Sequence, residues 1–371
     1  MSSAERACAR GATQGAAVSG KPASDKDSPA SDNLAFDNPA SSLIRRTVES
    51  GVVPGAALGV LRVGHPSTLA CWGLAQRMPD ELPLDLESVF DLASLTKVLF
   101  TVPEVLRLVQ DGLADLDEPL SRFLPEVGWM QPAGPGGVTL GSRTLRQLLT
   151  HTSGLPAHAP IYTWGTDAHT LKQRVLQEPW PLGGHIYSDI GYMLLGVVIE
   201  RLRGQALAER PLPPGLTFAP DRQLAVATEA CPWRGRVVRG EVHDENAFAL
   251  GGVAGHAGLF GTLAGVLGAA AGLLEGNTLS AAALAELRSP QTPTRALGWE
   301  RRHPGWSGGS LCSPGTLGHT GFTGTGCWID FERGLAWVLL TNSVHPSRHT
   351  RQNLQPLRRA LGNVVSGGWT F

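Results

Sequence analysis

Apolar residues recur along this chain at two spacings, the 3.6-residue period of helices and the alternation or short run of strands. Pro39 to Ser50 predicts a short helix ended by Gly51, and Gly55–Val63 and Thr68–Ala75 read as strands around a Gly64-His65-Pro66 turn. Between Ser94 and Asp111, the residues Leu95, Val98, Leu99, Val102, Val105, Leu106 and Val109 line one helical face, closed by Gly112. Pro103 within it predicts a kink or break, because proline lacks the N–H that the helical ladder needs. Leu145–Leu149 and Ile190–Leu202 read as further helices, whereas 205–245 is too weakly periodic to assign. Near the C-terminus, Gly326–Phe331 and Leu335–Asn342 flank a Glu332-Arg333-Gly334 turn as a hairpin, and Gln352–Val364 reads as a closing helix.

Strands at both ends with helices between predict an α+β fold. It comprises an antiparallel sheet formed by both chain ends and flanked by helices, plus an inserted, mostly helical domain. The expected boundaries are a disordered tail over 1–37, an α/β domain from 38–110 and 262–371, and a helical domain over 111–261. Phe248 to Leu274 carries no charged residue and is long enough for a membrane span of about 20 residues. Its first half, however, is too rich in glycine to hold a helix. Its second half has Thr262 as N-cap and Leu263, Val266, Leu267, Ala270 and Leu274 at helical spacing, so a loop leading into a buried helix is expected.

Composition narrows the classes of function. The 371 residues carry 31 Lys+Arg against 32 Asp+Glu, with 42% hydrophobic residues, as expected of a globular protein. The absence of a polybasic block argues against nucleic acid or an anionic membrane as partner, leaving a small-molecule or peptide substrate. The five scattered cysteines contain no CxxC, which fits neither a disulfide framework nor a zinc site. Without an apolar segment near the N-terminus, the expected compartment is cytoplasmic. Lys21, Lys26, Lys97 and Lys172 are the only lysines, and Tyr162, Tyr187 and Tyr192 the only tyrosines. Motifs that require Lys or Tyr therefore had few chances to arise by accident.

Ser94-Leu95-Thr96-Lys97 opens a predicted helix, where residues three apart share a face and a lysine amine can reach a serine hydroxyl. A serine needs such a neighbour to become a nucleophile, and a helix N-terminus favours a developing oxyanion. Alone, Ser-x-x-Lys also reads as a capping serine with a solvated lysine. Tyr187-Ser188-Asp189 precedes the Gly191–Leu202 helix, and His319-Thr320-Gly321 lies on a predicted strand. Each is bland singly, but the three in this order are specific.

On these three motifs the sequence resembles the serine β-lactamase-related hydrolases, nearest their class C and penicillin-binding-protein-like esterase branch. Val53-Pro54-Gly55-Ala56, Phe90-Asp91-Leu92-Ala93, the stretch Leu148 to Leu155 and the stretch Gly318 to Asn342 extend the resemblance across about 40–346. It implies an acylated Ser94, a Lys97–Tyr187 pair that acts as base and proton shuttle, and an oxyanion hole from the backbone N–H groups of Ser94 and Phe322. It also implies substrate contacts from Asp189, His319, Thr320, Gly321 and His256, and neither metal nor cofactor. An ammonium beside a phenol favours the phenolate, in accord with such a pair.

Two departures bear on substrate. His319 stands where penicillin-recognising members carry Lys, and Asp189 stands where an Asn would donate to an amide carbonyl. A neutral imidazole attracts a carboxylate less than an ammonium does, and a carboxylate accepts only. Weak β-lactamase activity at most is expected. His243 and His256, among the acids of Glu241–Asn246, read as a loop satisfied by its own hydrogen bonds, with a substrate wall and a metal site as alternatives. The glycine-histidine stretch also resembles one in cytoplasmic members thought to act on muropeptides.

Gly305-Trp306-Ser307-Gly308-Gly309 matches the G-x-S-x-G nucleophile elbow but lacks the strand–helix context. The expected function is cleavage of a small ester or amide through an acyl-serine. The alternatives are a D-amino-acid peptidase, a muramyl-peptide amidase, and a catalytically silent peptide-binding homologue.

Overall fold

The computed structural model describes residues 38–127 and 137–368; the tail expected over 1–37 lies outside the described residues. In chain order the elements are α1 (Pro39–Glu49), β1 (Gly55–Arg62), β2 (Thr68–Gln76), β3 (Leu82–Pro83), β4 (Phe90–Asp91) and, after a π-helical turn over Lys97–Thr101, α2 (Val102–Gln110). Next come α3 (Leu120–Phe123), α4 (Leu145–Leu149), α5 (Ala168–Gln177), α6 (Asp189–Arg203), β5 (Leu216–Thr217), β6 (Ala230–Cys231), β7 (Arg236–Val237) and α7 (Glu245–Ala249). The remainder is β8 (Phe260–Gly261), α8 (Leu263–Leu274), α9 (Ala281–Arg288), β9 (Glu300–Arg301), β10 (Leu317–Thr320), β11 (Gly326–Asp330), β12 (Leu335–Thr341) and α10 (Gln355–Ser366).

The main sheet runs β3-β2-β1-β12-β11-β10-β9, with its paired strands antiparallel. Both chain ends therefore build it, and its centre is the pairing of β1 with β12, Ala56 opposite Thr341 and Val60 opposite Trp337. Alternation along β12 explains why this strand is central. Leu335, Trp337 and Leu339 enter a core with Ile44 of α1 and Leu361 of α10, while Ala336, Val338 and Leu340 face the larger core that contains α8. Covered on both faces, β12 is buried throughout.

Thr262 caps α8 by accepting the Gly265 N–H at 3.0 Å, and among the described residues no helix is long and apolar enough to cross a membrane. The helix expected over Ser94–Asp111 is divided. Val102 N–H reaches the Lys97 carbonyl, five residues back, and α2 starts with Pro103 in its first turn. Proline cannot donate into a continuous ladder, and the widened π turn absorbs the mismatch beside Lys97. The weakly periodic 205–245 segment is held by short strand pairs and isolated backbone bonds to distant segments, such as Val226 N–H to Val89 and Ala227 N–H to Ala75, and by side chains on backbone. Arg239 donates to the Ala225 carbonyl at 2.7 Å, and Arg234 to that of Val242 at 2.7 Å.

Candidate active site

Three segments converge on the turn before Ser94. Asp91 accepts the Ala93 N–H at 2.8 Å through one carboxylate oxygen and the His243 N–H at 2.6 Å through the other. Burial pushes the Asp91 carboxyl up, against the pull of those N–H groups. Ala93 takes a left-handed conformation, φ 47°, a strained state for a residue with a Cβ. Thr323 and Thr325 donate to the carbonyls of Asp91 and Leu92 at 2.8 and 3.1 Å, tying β10–β11 to the same turn. Gly321 must be glycine, since a Cβ there would collide with the Leu92 carbonyl and Thr325 Oγ1. Among the described residues neither the Ser94 N–H nor the Phe322 N–H is consumed by a backbone hydrogen bond. These are the two donors that the resemblance implied for an oxyanion hole.

Lys97 is fully buried. Its Nζ donates to Ser94 Oγ at 2.9 Å and to the His256 carbonyl at 3.2 Å, and lies 2.7 Å from Asp189 Oδ1. Burial alone would drive the amine neutral, but the Asp189 carboxylate and then Tyr187 outweigh it and hold Lys97 above the usual lysine value. Each ammonium proton thus has an acceptor. Lys97 is a fixed cation under the serine, with the Tyr187 ring centre 4.9 Å away.

Asp189 was expected to meet substrate; one of its oxygens is instead occupied by Lys97. His256 was also expected among substrate contacts. It is buried, with Nε2 2.9 Å from Asp244 and its carbonyl on Lys97. The cause is a close backbone approach: a Cβ on Gly255 would overlap the Tyr192 carbonyl, so the glycine loop docks directly on α6. Burial raises Asp244, but His256, the Ala247 N–H and Lys97 hold its carboxyl well below the usual range. His243 pairs with Glu229 at 3.0 Å and stacks on Phe322. Arg348 bonds the same Glu229 at 2.7 Å and Glu245 at 2.5 Å. Against the burial that would raise it, His243 and Arg348 bring Glu229 to about 2.

His151 belongs to the site although no role was assigned to it from sequence. Its Nδ1 accepts the Ser188 N–H at 3.0 Å, and its ring lies 4.3 Å from that of Tyr187, fixing the second motif. Burial, then Arg295 and Lys97, hold His151 well below the ordinary histidine value, so it is neutral. His319 is likewise kept neutral by burial, Arg295 and Lys97, and its Nδ1–H donates to the Thr320 carbonyl at 3.0 Å. Its ring centre is 6.0 Å from that of Tyr187. A cleft of about 450 Å³ opens in front of Ser94, lined by Tyr187, His319, Thr320, Gly321 and Phe322. Ser307 lines it too, but its Oγ accepts the Trp328 indole N–H at 3.1 Å and it stands in a loop, so the elbow context is absent.

The arrangement offers a serine hydroxyl on a buried ammonium, a phenol beside them, and two free N–H groups across the turn. This is the equipment for acyl transfer through serine. The chain is 31% identical to an N-acetylmuramyl-L-alanine amidase of Bacillus subtilis (strain 168), covering 82% of this chain and 80% of that one. It is 29% identical to a putative D-alanyl-D-alanine carboxypeptidase of Escherichia coli O157:H7, over 88% and 87% of the two chains. Its fold is similar to simvastatin synthase from Aspergillus terreus, with TM-score 0.68, 20% identity and 89% and 98% coverage. It is also similar to a class C beta lactamase from Rhodobacter sphaeroides, with TM-score 0.66, 20% identity and 88% and 98% coverage. The Beta-lactamase family matches residues 40–360, and the chain belongs to that family of serine hydrolases.

Proposed function

We propose that this protein is a serine amidase that cleaves the bond between a muramyl sugar's acyl group and its peptide, through an acyl-Ser94 intermediate. The observation that carries the chemistry is Lys97 Nζ at 2.9 Å from Ser94 Oγ, locked there by Asp189. Ser94 Oγ attacks the amide carbon while its proton passes to the Tyr187 oxygen, which enters the step as a phenolate beside the Lys97 ammonium. The oxyanion is held by the Ser94 and Phe322 N–H groups. The C–N bond breaks as Tyr187 returns the proton to the leaving amine, and water then releases the acyl group by the same route. Lys97, saturated with acceptors, keeps the charge balance and Tyr187 carries the proton.

The substrate class is supported by the Bacillus subtilis relative and by a polar cleft lined with arginines, a poor host for a lipid ester. Asp189, facing Lys97, offers no N–H to an amide carbonyl, in keeping with weak action on β-lactams at most. The putative carboxypeptidase relatives favour a second reading, removal of a terminal D-alanine. Purified protein given N-acetylmuramyl-L-alanyl-D-isoglutamine should release the free sugar acid and dipeptide, seen by mass spectrometry. Ser94→Ala should lose this activity by a factor on the order of 10⁴ or more. Release of D-alanine from a D-Ala-D-Ala peptide, with the muramyl amide left intact, would replace this reading by the second.

A further inference from the structure

Arg295, Arg351 and Arg358 line the cleft together with His319. Arg351 is engaged: it donates to the Phe322 carbonyl at 2.7 Å and its guanidinium lies 4.3 Å from the centre of that ring. Arg358 donates to the Thr325 carbonyl at 3.0 Å, but its buried Nε has no partner. Arg295 makes no ion pair or side-chain hydrogen bond among the described residues, and its guanidinium lies 5.5 Å from the centre of the Tyr187 ring. Glu300, the carboxylate among the lining residues, is turned to His303 at 2.8 Å and to Ser307 at 3.4 Å.

The buried Lys97 has Asp189, and Arg348 beside the nucleophile turn has Glu229 and Glu245. Two guanidiniums facing one cleft whose carboxylate, Glu300, is bonded elsewhere are a standing electrostatic cost. Burial and then Arg351 press Arg358 down to about 10, and the pull of Glu300, which forms no ion pair with it, does not offset them. The third motif cannot supply a cation for substrate, since His319 is neutral and its Nδ1–H is spent on Thr320.

We propose that Arg295 and Arg358 form a subsite for a carboxylate on the leaving group of the substrate. The side follows from Tyr187: the group that returns the proton to the leaving atom lies beneath Arg295, so a charge held by Arg295 is on the departing half. A guanidinium fork fits a carboxylate through paired N–H donors, which an ammonium at the third motif would not reproduce. The inference rests on the serine-hydrolase reading and deepens it, because a departing peptide carries free carboxylates.

The test compares two esters that differ only in the leaving group, N-acetylglycyl esters of 3-hydroxybenzoic acid and of 3-hydroxybenzamide. The full chain should show at least about a tenfold higher kcat/KM for the carboxylate ester, mainly through KM, and the advantage should shrink with added salt. Arg295→Gln should bring the ratio to within about twofold of one, and Arg295→Lys should keep part of it. Should Arg295→Gln fail to fold, Arg358→Gln reads the same ratio. Absence of any preference in the unmodified protein, or an unchanged ratio in both glutamine variants, overturns the subsite. Hydrolysis of either ester that survives Ser94→Ala overturns the serine reading itself.

Discussion

The two sides of the cleft handle charge by opposite rules. Behind Ser94 the polar groups have partners: Lys97 with Asp189, Glu229 with Arg348 and His243, His256 with Asp244, and Asp91 with two backbone N–H groups. Across the cleft, Arg295 and Arg358 form no ion pair or hydrogen bond with a carboxylate among the described residues, and Glu300 acts on Arg358 only at longer range. Matched charges fix geometry, because each partner left alone in a buried site is costly. Unmatched charges are a source of affinity, available to whatever brings the opposite sign. The side that must not move is paired, and the side that must recognise something is left open.

Breaking a matched group should therefore hurt most. Glu229→Ala leaves His243 without its carboxylate and Arg348 with Glu245 alone beside the nucleophile turn, and should cost about 3 kcal/mol in denaturant unfolding, with Tm lower by about 4 °C. An unchanged stability would show that this network is incidental. Acid probes the neutral imidazoles. Burial and then Arg77 hold His345 down to about 4, and His151 and His319 are also depressed. The unfolded chain binds these protons near 6.5, so the stability is fully present above 6.5 and is lost as pH falls through the folded values. His345 alone should contribute about 3 kcal/mol to that loss, read from Tm between pH 7 and 4. The smallest effect has the opposite sign: Arg358→Met removes an unmatched cation and should raise stability by about 1 kcal/mol. A loss of 3 kcal/mol there would show that Arg358 is structural and close the distinction between the two sides.

The sequence shows the paired side better than the open one. Ser94 and Lys97 are three residues apart, and that local spacing suffices for contact whether the turn is α or π. The helix N-cap at Thr262 and the hairpin around Gly334 are local as well, and the sequence places both. Asp189 is visible as a carboxylate in place of an amide, yet its direction depends on how α6 docks against Gly255, a contact between distant segments. His256 is assigned to the cleft for the same reason and lies behind Lys97 instead. His151 lies in a family-typical stretch, but its role needs the Ser188 N–H, 37 residues on. Arg295 and Arg358 belong to no motif in a chain where arginine supplies nearly all the basic groups. Only their convergence distinguishes them. The 205–245 segment is unreadable because two-residue strands, isolated backbone bonds to distant segments and guanidinium-to-carbonyl bonds, rather than a periodic apolar stripe, hold it.

The β1–β12 pairing also sets a clock. Ala56 meets Thr341 only after nearly the whole chain has left the ribosome, and long-range antiparallel pairing of this kind is slow to form. Phe322, half of the proposed oxyanion hole, arrives just before that strand. A chain cut before Phe322 would carry Ser94 and Lys97 without the wall opposite them, and should hydrolyse no ester in the assay above.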